Sequence, residues 1–158
     1  MAEHRAPPWT RHLGAWVVGT AATVLLVVGA ILGSHLDGSL PVALPAVGTA
    51  AATFLFVYLW LLTVVAAGTV ISSTPDTAAP AAWLGRTAAG GAAVALIYLT
   101  IVLVIGFASP LPTPIDPGLR SVFGTVAAGT VAGAVLGALV ASAFAACRRA
   151  AAAVVDDA

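Results

Sequence analysis

Four long stretches without an ionised side chain organise this chain: residues 12–36, 38–75, 87–115 and 121–147. All twelve Asp, Glu and Arg residues sit between or beyond them. A helix needs about 20 apolar residues to cross a hydrocarbon core of roughly 30 Å. A charge at its centre costs roughly 2.5–3.5 kcal/mol on the insertion scale. The pattern therefore predicts an all-α, polytopic membrane protein, a four-transmembrane-helix bundle in a single domain over residues 1–158. The expected helices cover about 13–34, 46–71, 83–108 and 119–146.

Proline sets several of these bounds. Pro41 and Pro45 belong before the second helix, because proline is tolerated at a helix start and not inside. Ser72, Ser73, Thr74 and Pro75 are expected to close that helix, with Pro80 in the lead-in to the third. Pro110, Pro112, Pro114 and Pro117 predict an extended outer loop over 109–118.

Arginine sets the orientation. Arg5, Arg11, Arg86, Arg148 and Arg149 fall on one side of the predicted topology, and Arg120 alone on the other. Short cytoplasmic loops carry the excess of basic residues. Both termini of this multi-pass chain in a cell membrane are thus expected in the cytoplasm. Trp9, Trp16 and Trp83 lie toward the same side, where an aromatic belt would put them.

Composition narrows the chemistry. The chain has 158 residues, 61% apolar and 8% charged, with a mean hydropathy of +1.08. Segments outside the spans are too short for a separate core. Six basic against six acidic residues make no basic patch, so no nucleic-acid partner is expected. The absence of lysine excludes a retinal Schiff base. His35 and Asp37 are two ligand types in one outer loop, short of the three or four a metal site needs. Neither a Ser-His-Asp set nor a carboxylate pair gathers on one side of the membrane. Neither catalytic activity nor a cofactor is expected.

Two features remain. Every fourth residue of the last predicted helix is small: Ser121, Thr125, Gly129, Gly133, Gly137, Ala141 and Ala145. In lipid, helices associate through close backbone approach, which such a ridge permits. The three glycines carry the weight, because Ala, Gly, Ser and Thr are 16 of the 25 residues in 121–145. Gly29 and Gly33 make a shorter match in the first helix. The second feature is the pair Tyr58 and Tyr98, each near the centre of a span, with Phe54, Phe56 and Trp60 around the first. A tyrosine hydroxyl in hydrocarbon needs a partner, and Thr53, Thr63 and Thr100 are within sequence reach. The rings either fill gaps beside small neighbours or line a mid-membrane polar site.

These readings converge on a structural or accessory subunit acting through helix packing. Its expected partners are the bilayer and either copies of itself or a larger membrane complex. The alternative is a small transporter or channel, with its pathway in the bundle or between subunits. A cavity reaching Tyr58 and Tyr98 would favour the alternative.

Overall fold

The apolar stretches form helices in the computed structural model, which describes residues 8–36, 38, 49–74, 79–108 and 119–156. In chain order they are α1 (Pro8–Leu36), α2 (Ala50–Ser73), α3 (Pro80–Ala108) and α4 (Leu119–Asp156). Each is long and apolar enough to span a membrane, and no strand occurs among the described residues. The chain is an all-α multi-pass membrane protein. The loop at 109–118, Asp37 and the prolines at 41 and 45 lie outside the described residues.

Helix ends depart from the hydropathy boundaries for local reasons. Pro8 and Pro80 are the first residues of α1 and α3, where a missing N–H costs nothing. Pro80 therefore starts α3 instead of leading into it. Thr49 caps α2, its hydroxyl accepting from the Ala52 amide at 3.2 Å, so α2 begins at Ala50 and not at 46. Ser72 and Ser73 continue α2, each hydroxyl donating to a carbonyl of its own helix, at Thr69 and Val70. The largest difference is α4, which runs to Asp156 and not 146. Arginine and alanine after Cys147 are strong helix formers, and no Gly or Pro interrupts them. At roughly 1.5 Å per residue its 38 residues reach about 57 Å, well beyond the hydrocarbon core.

The helices pack antiparallel in a ring. The tightest pair is α3 with α4, followed by α1 with α2; α2 meets α3, and α1 meets α4, more sparsely. The bundle is thus two close helix pairs set loosely side by side. Among the described residues the buried ones are few and mostly small: Ala15, Gly19, Thr23, Leu59, Thr63, Ala67, Val94, Gly133, Val140 and Ala141. Val24, Leu32, Phe54, Val65, Val104, Val131 and Leu139 are exposed. On a soluble monomer so much exposed apolar surface would mark an interaction site. On helices long and apolar enough to span a membrane, such a surface suits lipid or the helices of other chains.

Candidate functional site: two helix seams and an apolar cavity

The small-residue ridge of α4 packs against α3. A Cβ at Gly133 would lie 2.5 Å from both the Ala95 Cβ and the Gly91 carbonyl oxygen. One at Gly91 would collide with the Gly133 carbonyl and lie 3.2 Å from the Gly137 Cα. One at Gly137 would strike the Thr87 carbonyl and come within 3.3 Å of the Gly91 Cα. Backbone therefore meets backbone at three glycines from two helices. At Gly129 the obstacle is only the end of the Leu99 side chain. Ala141, four residues on from Gly137, is nearly fully buried. Thr125 is exposed, and the Ser121 side chain lies outside the described residues. The α3 half of this seam, Thr87-Gly91-Ala95-Leu99, has the same four-residue spacing, and that spacing was its signal in the sequence.

Gly29 and Gly33 make no such seam. No atom outside their own stretch of helix lies within 4 Å of a Cβ built on either. The close approach of α1 comes earlier, at Ala15, Gly19 and Thr23. A Cβ at Gly19 would lie 2.6 Å from the Val64 Cα. Around that contact sits a polar cluster. The Thr23 hydroxyl bonds the Gly19 carbonyl at 2.8 Å and also pairs with the Thr63 hydroxyl. Thr63 in turn reaches the Gly19 carbonyl of the facing helix at 3.1 Å. The Trp60 indole N–H donates to the Thr20 hydroxyl at 3.2 Å. Thr23 and Thr63 are the two buried polar residues of the described chain. Both are used to tie α1 to α2.

Tyr58 and Tyr98 do meet at mid-span, their ring centroids 6.3 Å apart and 22° from parallel. Phe54 stacks on Tyr58 at the same separation. Trp60 faces α1 instead and leaves this cluster. The three threonines bond elsewhere: Thr53 to the Thr49 carbonyl, Thr63 within the α1–α2 seam and Thr100 to the Leu96 carbonyl. For Thr53 and Thr100 back-bonding wins because the carbonyl four residues earlier is always in reach.

Between the two helix pairs lies an apolar cavity of about 80 Å³, walled by all four helices. Val18 and Ala22 of α1, Ala66 of α2, Val94 of α3 and Phe144 of α4 represent its walls. It does not include Tyr58 or Tyr98. Trp83 and Phe144, whose rings stand 6.5 Å apart, mark its end toward Arg86 and Arg148. Arg86 crosses from α3 to donate to the Ser73 carbonyl at 2.6 Å, a cation on the C-terminal turn of α2. His35 and Cys147 are both exposed. Among the described residues no three of His, Cys, Asp and Glu gather as a metal site would require.

No curated protein and no solved structure matches this chain. Residues 11–158, all four spans, match the family of unknown function DUF7965, and the chain belongs to that family.

Proposed function

We propose that this protein is a structural or accessory subunit of a membrane assembly, acting through helix packing and without chemistry of its own. The observation that carries this reading is where its buried polar groups and glycines go. Thr23 and Thr63 are used in the seam between α1 and α2. Gly133 and Gly137 are covered by α3. Transporters and proton-coupled pumps keep ionisable groups inside the membrane, whereas the interiors of these four stretches are uncharged. With the glycine ridge covered from within, the surface left for copies of the chain or other subunits is the apolar exterior. Both termini are cytoplasmic in this reading. Arg11 at the start of α1, Arg86 near the start of α3 and Arg148 late in α4 belong to the same end of an antiparallel ring.

Solute flux into proteoliposomes containing the purified chain tests the reading. Flux no greater than in protein-free vesicles is the expected result. Saturable flux that Tyr98→Phe abolishes, while the melting temperature holds, would make the protein a transporter instead.

A further inference from the structure

We infer that the cavity between the two helix pairs is a binding site for one small apolar molecule of about two or three heavy atoms, a dissolved gas or a short hydrocarbon. This goes beyond the subunit reading and does not depend on it.

The cavity follows from the way each pair is closed. In the α3–α4 pair Gly91, Gly133 and Gly137 bring backbone against backbone. In the α1–α2 pair Gly19 lies against Val64, and Thr63 bonds across to the Gly19 carbonyl. Small residues drawn into these seams leave little side chain for the space between the pairs, where Ala22 and Ala66 stand with Gly90 and Gly91. Three contacts keep the pairs at their spacing. The Tyr58 and Tyr98 rings stack across it, Val70 packs against Gly90, and Arg86 holds the Ser73 carbonyl. A packed interior relaxes only partly into such a space.

The walls select the guest. Every residue that lines the cavity falls within one of the four spans, and nearly all are apolar. Its two threonines bring no free donor: Thr87 donates to carbonyls of its own helix, and Thr63 is held in the α1–α2 seam. A water needs two to four polar partners and finds too few, so the space is dry and takes apolar guests. Size narrows the class further. An apolar cavity of about 150 Å³ accepts benzene or xenon, and at about 80 Å³ this one is roughly half as large. Benzene is too big for it, and so is an acyl chain. The cavity is only partly enclosed, and α1 packs on α4, and α2 on α3, only sparsely. A molecule dissolved in the bilayer therefore has a way in.

Methyl NMR of the whole chain in mild detergent, under rising xenon pressure, tests this. The methyls of Ala22, Ala66 and Val94 should shift and then saturate. Those of Val104 and Val131, on the exposed surface, should shift slightly and in proportion to pressure. Ala66→Leu, whose added carbons occupy the cavity, should abolish the saturable shift at the remaining cavity methyls. Val135→Leu, on the exposed face of α4, should leave it intact. Ala22→Leu replaces Ala66→Leu if circular dichroism shows the latter unfolded. Competition separates the two sources: dinitrogen displacing xenon at lower pressure than propane makes the site one for gases, and the reverse makes it one for short hydrocarbons. A shift that never saturates, or one that persists in the cavity-filling variant, would overturn the proposal. So would displacement of xenon by neither competitor, or by n-hexane as readily as by propane.

Discussion

Gly133→Ala and Gly29→Ala make the same chemical change in two helices, and only one of them should damage the protein. At Gly133 the new methyl would sit 2.5 Å from the Ala95 Cβ and 2.5 Å from the Gly91 carbonyl oxygen. Ordinary contact needs close to 1 Å more, and the obstacles at this point are backbone and a methyl with no rotamer to change. Helices α3 and α4 must therefore separate along the whole seam, an overpacking cost of about 1–3 kcal/mol. At Gly29 a built Cβ meets nothing within 4 Å. Alanine also gains up to about 1 kcal/mol of helix propensity over glycine. That gain is common to both sites, so the difference between the two variants isolates the packing term, about 1–3 kcal/mol. Thermal unfolding in mild detergent, followed by circular dichroism, should show Gly29→Ala at or above wild type and Gly133→Ala clearly below it. Gly129→Ala should fall between, since a leucine side chain can rotate away. Equal melting temperatures for Gly133→Ala and Gly29→Ala would refute the backbone seam.

Other outcomes follow from the same geometry. Gly133→Leu should lower the melting temperature without changing the oligomer mass, because α3 of the same chain covers the site, and Val135→Leu should be mild; a lost oligomer with a stable monomer would put the ridge between subunits. Thr63→Val should cost roughly 0.6–1.7 kcal/mol, the range for hydrogen bonds between membrane helices, while Thr53→Val, exposed on α2, should be close to neutral in the same melts. Tyr58→Phe and Tyr98→Phe keep the stacked rings and should each cost less than about 1–2 kcal/mol; a larger loss would mean their hydroxyls hold the fold. Cysteines introduced at Ser39 and Thr113 should react with an impermeant reagent in intact cells while Cys147 does not, and the opposite pattern would reverse the orientation.

The four spans are legible in the sequence because charge is excluded from hydrocarbon so strongly that its gaps alone mark the helices. Helix ends are less legible. Hydropathy reports the part of a helix in lipid, whereas Thr49, Pro80 and the alanines after Arg149 decide where the backbone turns begin and stop. The α4 ridge is visible as spacing, but its partner depends on which helix lies beside it, which spacing alone does not say. Gly29 and Gly33 satisfy the same pattern and meet nothing, while Gly19, with Thr23 as its companion, carries the contact. A glycine pair marks a capacity for close approach, and the register of the facing helix decides whether it is used. The threonine seam is missed for a related reason: Thr23 and Thr63 stand forty positions apart, and only the antiparallel pairing of α1 with α2 joins them.

The central claim is that the chain works as a packed subunit whose outer surface meets other membrane proteins. The most direct measurement is the mass of the particle that holds it when its own membrane is solubilised into polymer nanodiscs without detergent. The subunit reading predicts a discrete protein mass above that of one 15.6 kDa chain, preserved in Tyr98→Phe. A single chain per particle, with no other protein, would contradict it.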